Sequence, residues 1–380
     1  MRYAYIKSGD VLAEYGKIRA SAQAPDGGPL VYLTQFLEVT EGHTRLVLGT
    51  GSDHSRPALA DGNTRLEGMG GGGAARRAWR ILRALLRHRP GVIICGERNL
   101  SLAATALAAR LTGARTVFSV HSTLDPSSTR PHHRLLSRLN ALCMRRMDAC
   151  LCHGPFLTRH ITQIRGNGTN VLTFDRGMDG LPEPTFPPLP ETPRIVLFMG
   201  RLERAKGIFD LLAAMRGPLE RNPDLRLDYV GDGPDKEELR AEIRTLGLEG
   251  RVELAGRVPH ADIAARLETA WVTVTPTHSS CPEGRCMTAM ESLHFGTPLI
   301  APGHEPFLFL VQDGVNGLLY ASDSVPALRR QLERVLGDPD LRAALSEGAR
   351  RTPSRLRGHD DFGTALAKAL RLVEAPERSA

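Results

Sequence analysis

Short apolar runs alternate with amphipathic stretches along most of the chain. Runs such as Val92-Ile93-Ile94-Cys95, Thr116–Val120 and Arg194–Met199 are strand-length and rich in β-branched residues. In the first half the pattern predicts strands at Arg2–Ile6, Leu46–Leu48, Val92–Cys95, Thr116–Val120, Ala149–Cys152 and Asn170–Phe174. Helical periodicity falls at Leu30–Val39, Ala75–Arg89, Leu100–Leu111, Arg134–Met147 and Phe156–Ile164. Two stretches carry no usable period. Lys7 to Gly28 reads as irregular, and the glycine-rich Gly49 to Gly73 reads as a mobile loop.

Leu181 to Pro193, LPEPTFPPLPETP, contains six prolines and reads as a linker. The alternation then restarts. Strands are expected at Arg194–Met199, Arg226–Val230, Val252–Leu254 and Trp271–Thr275, with helices near Ile208–Met215, Asp235–Leu246 and Asp262–Glu268. Further helices fall at Ala327–Leu336, Leu341–Ala349 and about Phe362–Val373. Strand–helix alternation on both sides of a proline linker argues for an α/β chain of two doubly wound domains facing across a cleft. The expected division is residues 1–183, linker 184–193, residues 194–357, and a C-terminal helix at 358–380 that packs back on the first domain.

A length of 380 residues suits two cores rather than one. No run approaches the roughly 18–20 apolar residues of a spanning helix, and the N-terminus has no secretory apolar region, so a cytoplasmic location is expected. The six cysteines show no CxxC pairing, which favours buried free thiols over disulfides or zinc. Charge is unevenly divided. Residues 1–185 hold 24 Lys+Arg against 14 Asp+Glu, net +10, while the remainder holds 25 against 28, net −3, giving the overall +7. A positive field in the first half suits nucleic acid, an anionic membrane or an anionic substrate. Two basic helices, Ala75–Arg89 and Arg134–Met147, carry much of it. Arginines facing water explain them without function; peripheral contact with an anionic membrane is the functional alternative.

The candidate chemistry centres on Cys281–Ala301. Glu283 falls in a loop before a helix and Glu291 inside it. Backbone N–H groups near Gly284, Arg285, Cys286 and Met287 would face a ligand there, an arrangement suited to phosphate with hydroxyls nearby. Arg201 and Lys206 fall in the loop after another strand. The chain has 44 arginines and only 5 lysines, which singles out Lys206. A planar fork and a compact point charge together suit the two halves of a diphosphate. His121 follows a strand, at the edge where doubly wound sheets bind ligands. Gly27-Gly28 precede a helix and read either as a ligand approach or as a turn before Pro29.

Gly200-Arg201 with Lys206-Gly207, Val230-Gly231-Asp232-Gly233-Pro234, and Glu283 with Glu291 before Gly296-Thr297-Pro298 resemble a GT4-type retaining glycosyltransferase of the GT-B fold. Gly27-Gly28, His121 and Arg176-Gly177-Met178-Asp179 match that family's looser N-terminal marks. The resemblance implies a nucleotide-sugar donor, UDP- or GDP-linked, on the C-terminal domain. Arg201 and Lys206 would hold its diphosphate with the N–H groups of residues 284–287. Glu291 would contact the ribose and Glu283 the sugar hydroxyls. His121 would lie beside the donor sugar and Gly27-Gly28 near the phosphates. It further implies hexosyl transfer to a glycan or lipid-linked acceptor, as in cell-surface polysaccharide or glycoconjugate synthesis. No metal and no cofactor beyond the donor are expected, because two basic side chains can carry the leaving charge. Arg285-Cys286 depart from the family's usual Phe-Gly, and Phe309 stands where a glutamate is usual.

Two other classes compete: another GT-B-fold sugar-nucleotide enzyme such as an epimerase, and a non-catalytic basic membrane-binding protein. The second leaves the C-terminal constellation unexplained, as does nucleic-acid binding, so no nucleic-acid partner is expected.

Overall fold

A computed structural model describes residues 1–20, 30–122, 131–175, 181–188, 192–281, 283–352 and 360–375. The chain divides into two compact units, Met1–Arg176 with His359–Ala380, and Gly177–Gly358.

In the first unit the strands are β1 (Arg2–Lys7), β2 (Thr44–Asp53), β3 (Leu59–Asp61), β4 (Thr64–Gly70), β5 (Val92–Cys95), β6 (Arg115–Val120), β7 (Ala149–His153) and β8 (Val171–Phe174). They form one sheet, ordered β3-β4-β2-β1-β5-β6-β7-β8, parallel except for β3. Helices α1 (Val11–Ala20) and α2 (Leu30–Val39) cover one face. Helices α3 (Ala74–His88), α4 (Leu100–Thr112), α5 (Pro131–Met144) and α6 (Pro155–Arg165) cover the other. Strands covered on both faces are apolar throughout; Val92 to Cys95 are all fully buried.

Two expectations fail here. The segment at Lys7–Gly28 contains α1, started by Asp10, whose carboxylate accepts from Ala13 N–H at 3.2 Å. The expected loop at 49–73 is instead the end of β2, the β3–β4 hairpin and β4. Its glycines permit close strand approach rather than mobility: a Cβ at Gly68 would sit 2.3 Å from the Asp53 carbonyl oxygen.

The second unit has β9 (Arg194–Met199), β10 (Leu225–Val230), β11 (Val252–Gly256), β12 (Val272–Val274), β13 (Leu299–Pro302) and β14 (Gly317–Tyr320). The parallel order is β11-β10-β9-β12-β13-β14. Numbered from β9, this is the 3-2-1-4-5-6 arrangement of a doubly wound sheet, with its switch point between β9 and β12. Helices α7 (Ile208–Arg221), α8 (Lys236–Thr245) and α12 (Val325–Gly337) share one core. Helices α9 (His260–Thr269), α10 (Met287–His294) and α11 (Phe307–Leu310) lie over the opposite face. Helix α13 (Pro339–Arg350) is capped by Asp338, which accepts from Leu341 N–H at 2.9 Å.

The proline-rich segment is docked on the second unit. Thr185 Oγ1 donates to Glu268 at 2.9 Å, and the Arg350 guanidinium lies 4.6 Å over the Phe186 ring. The last helix, α14 (Phe362–Glu374), belongs to the first unit. It buries Phe362, Leu366, Leu370 and Val373 in the core shared with Tyr5 and Phe36. Its entry is fixed by Asp175 N–H donating to the Asp360 carbonyl at 2.8 Å.

Candidate active site

The switch point of the second sheet leaves two loops side by side, one after β9 and one after β12. The first is Gly200–Gly207, ending in a single 3₁₀ turn at Arg204–Lys206. Leu202 anchors it, fully buried, with its N–H on the Asp232 carbonyl at 3.0 Å. Gly207 closes the turn at φ +71°, and a Cβ there would lie 1.9 Å from the Pro276 carbonyl oxygen. Only glycine meets both demands. The second loop is held against the first: His278 N–H donates to the Ala205 carbonyl at 3.0 Å, and His278 Nε2 meets Asp210 Oδ2 at 3.0 Å.

These ties bring Lys206 and Glu283 into direct ion-pair contact across 77 residues of sequence. Their side chains are 23% and 15% exposed, so the pair is largely shielded but open to a ligand. Burial works against the Lys206 charge, but the Glu283 carboxylate outweighs it, and the lysine pKa lies above its ordinary value. Arg201 stands at the same edge, exposed, with Nε 3.1 Å from Glu203. The sequence reading set Lys206 beside Arg201 for a diphosphate and Glu283 with the sugar; the structure pairs Lys206 with Glu283, while Arg201 is exposed beside them.

Helix α10 starts at Met287 with Cys286 as N-cap, so Gly284 and Arg285 precede the helix rather than forming its first turn. Thr288 Oγ1 donates to the Met199 carbonyl at 3.0 Å, pinning that first turn to the end of β9. The N–H groups at the start of α10 thus face the same edge as the β9 loop. Glu291 is buried one turn further along. Arg285 is buried at 8% exposure. Burial pushes the Cys286 thiol up to about 12, so it is neutral near pH 7. Phe309 is 40% exposed on α11.

In the first unit, His121 follows β6, half-buried, with Nε2 2.8 Å from Ser119 Oγ. Tyr32 and Phe174 pack edge-on at centroid distances of 4.7 and 5.5 Å. Burial, helped by the Lys7 charge, lowers its pKa to about 4, leaving a neutral imidazole near pH 7. Beside it, at this sheet's own switch point between β1 and β5, lies a cavity of about 300 Å³. Ser8, Arg77, Glu97, Arg98 and Ser101 line it with His121. The sequence reading missed this cavity, because its residues are scattered over four segments. Gly27, Gly28 and Arg176–Asp179 lie outside the described residues.

Among the described residues no group of three or more His, Cys, Asp or Glu could hold a metal. No helix among them is long and apolar enough to cross a membrane. All six cysteines are free.

Residues 183–352 match the family described as glycosyl transferases group 1, and residues 40–175 match the glycosyl transferase 4-like domain. The chain is similar to a glycogen synthase of Mycobacterium tuberculosis, 27% identical over 247 residues, covering 64% of this chain and 58% of that protein. The chain spans about half the length of the curated relatives it matches. Among solved structures it is similar to a sucrose-phosphate synthase from Thermosynechococcus elongatus, with TM-score 0.72 and 20% identity over 98% of both chains. It is likewise similar to Anabaena HepE in complex with UDP and glucose, with TM-score 0.66 and 17% identity over 99% of this chain and 100% of that one. These likenesses establish a GT-B fold of two Rossmann-like units.

Proposed function

The chain belongs to the group 1, GT4-type glycosyltransferases, and on that premise we propose that it is a retaining enzyme that moves a hexose from a UDP- or GDP-linked donor. The acceptor is a glycan or a lipid-linked sugar, in cell-surface polysaccharide or glycoconjugate synthesis. The observation that carries this reading is the Lys206–Glu283 pair at the β9/β12 switch point, beside the start of α10. It offers a cation, a carboxylate and helix N–H groups within one unit, the set that a phosphorylated sugar requires.

In this reading Lys206 and Arg201 bind the donor diphosphate with the N–H groups of residues 284–287. Glu291 contacts the ribose, and Glu283 accepts from the sugar hydroxyls near the reacting carbon. As the bond from that carbon to the diphosphate breaks, negative charge grows on the leaving group. Fixed cations and N–H dipoles stabilise it without rearranging, and they do so without a metal or any cofactor beyond the donor. The acceptor hydroxyl attacks from the face the diphosphate leaves, so configuration is retained. Glu283 positions the sugar and is not assigned as a nucleophile. In the first unit, the cavity beside the neutral His121 ring takes the acceptor.

The proposed location is the cytoplasm, with peripheral contact to an anionic membrane through α3 and its neighbours. The supporting feature is a surface on which Trp79, Leu111, Leu135 and Leu142 are exposed at 64, 61, 68 and 48%. Arg76, Arg83 and Arg87 surround Trp79 and are exposed. Arg80 does not join them: it is bonded to the carbonyls of Met69, Gly70 and Gly71. A donor panel tests the catalytic reading directly. Release of nucleoside diphosphate from at least one UDP- or GDP-hexose, abolished in Lys206→Ala, is expected; no turnover or binding across the panel refutes it.

A further inference from the structure

Two helices of the first unit begin at the cavity beside β1 and β5. Ala74, the first residue of α3, lines it, as do Asn99 and Ser101 at the start of α4. Neither helix start is capped by a side chain. The N-cap of α3 is Gly73, which has none to offer. The N-cap of α4 is Asn99, whose Oδ1 instead accepts from Asn140 Nδ2 at 2.9 Å. Neither helix has an acidic residue in its first turn. With 15 and 13 residues, both present the positive end of a full helix dipole and N–H groups with no helical acceptor.

Two side chains join these helix starts. Arg77, one turn into α3, lines the same cavity and has no carboxylate partner among the described residues. Ser101 is 3% exposed and lines it too, yet its hydroxyl has no hydrogen-bond partner among the described residues. A polar group this buried is normally paired, so an unmet hydroxyl facing a cavity is suited to a ligand oxygen. The carboxylate in the lining is already engaged. Glu97 Oε1 accepts from Thr50 Oγ1 at 2.6 Å. Burial works against the charge of neighbouring Arg98, and Glu97 supports it, so these two offset one another. The positive excess that remains is Arg77 with the two helix starts. Donors from two helices suit the three oxygens of a phosphoryl group better than the two coplanar oxygens of a carboxylate, and the guanidinium fork matches phosphate in pairs.

We propose that this cavity is a phosphoryl-binding subsite and that the acceptor is therefore a phosphorylated sugar, held by Arg77, Ser101 and the starts of α3 and α4. The acceptor role rests on the glycosyltransferase reading above; the phosphoryl site rests on the cavity alone.

The first probe is inorganic phosphate, titrated by ³¹P NMR into the full chain carrying Lys206→Ala, which removes the donor diphosphate contact. Saturable binding is expected. It should weaken about tenfold or more when Arg77→Gln is added, as for loss of a charge-assisted contact, and several-fold with Ser101→Ala. Arg77→Lys, which keeps the charge, should recover part of the loss. The second arm adds acceptors to the donor assay: soluble hexose 1- and 6-phosphates, a hexose on a prenyl diphosphate in micelles, and the unphosphorylated hexoses. Transfer to either phosphorylated class supports the proposal and tells a soluble source from a lipid-linked one. Transfer to the plain hexoses equally well overturns it, as does phosphate binding that is absent or indifferent to Arg77. Phosphate binding that depends on Arg77, with no donor bound or turned over, refutes the glycosyltransferase reading instead and leaves the phosphoryl site standing.

Discussion

Replacing Glu283 by Gln removes the charge that holds Lys206 while keeping the side-chain shape. At 23% and 15% exposure the pair falls between a surface ion pair and a buried one. Surface pairs contribute about 0–1 kcal/mol, and breaking a buried pair costs about 3–5 kcal/mol, so a loss of about 2 kcal/mol is expected. In a unit of this size that corresponds to a fall of about 4–8 °C in the transition of the C-terminal unit. The diphosphate then offers Lys206 the negative charge it has lost. UDP should therefore bind to the variant and raise its unfolding temperature by more than it raises that of the wild type. Turnover should fall by about 10²-fold or more, because the sugar loses an acceptor at the reacting carbon. Scanning calorimetry with and without UDP, alongside diphosphate release, reads all three. An unfolding temperature equal to wild type together with full turnover would falsify the role given to this pair.

The other predictions concern single positions. Lys206→Ala should weaken UDP binding by about 10- to 100-fold, measured by titration, since a charged hydrogen bond contributes about 1.5–3 kcal/mol. Gly207→Ala should destabilise the C-terminal unit by about 3 kcal/mol or more, combining left-handed strain with displacement of the Pro276 carbonyl, and should lower kcat/KM as Lys206 shifts; a stable, active variant contradicts the packing described. His121 has a folded pKa of about 4 against an ordinary 6.5. Its contribution to stability is present above pH 6.5 and is lost as pH falls to about 4, amounting to about 3 kcal/mol. The difference between wild type and His121→Gln in chemical unfolding should open across that window; parallel pH curves contradict it. For the membrane surface, Trp79→Ala with Arg76→Gln and Arg83→Gln should abolish sedimentation with anionic vesicles, and unchanged sedimentation removes that surface from the account.

Much of this was legible in the chain. Apolar runs covered on both faces, such as Val92–Cys95, read as central parallel strands, and Lys206 stood out against an arginine-rich background. The glycine-rich stretch at 49–73 misled because glycine serves two opposite ends. It loosens a chain in water, yet at Gly68 it lets one strand press on another's backbone. Helix α1 was hidden by Gly16 and by having only Val11, Leu12 and Tyr15 buried, although Asp10 was a readable cap. The C-terminal helix showed its apolar face in sequence, but its place beside Tyr5 and Phe36 depends on contacts more than 300 residues apart, such as Gln35 with Asp361, 326 residues away. In the site, the residue types at Lys206 and Glu283 stood out in the sequence, but their contact did not. The His278–Asp210 tie that sets it could not, since neither residue stands in a pattern of its own.

The central claim is that the β9/β12 switch point of the second unit binds a nucleotide-sugar diphosphate through Lys206. Titration of the wild type and Lys206→Ala with UDP- and GDP-hexoses, followed by diphosphate release, tests it most directly. The account predicts saturable binding and turnover of at least one donor, with both collapsing in the variant. Equal binding and turnover in the two proteins, or none in either, would contradict it.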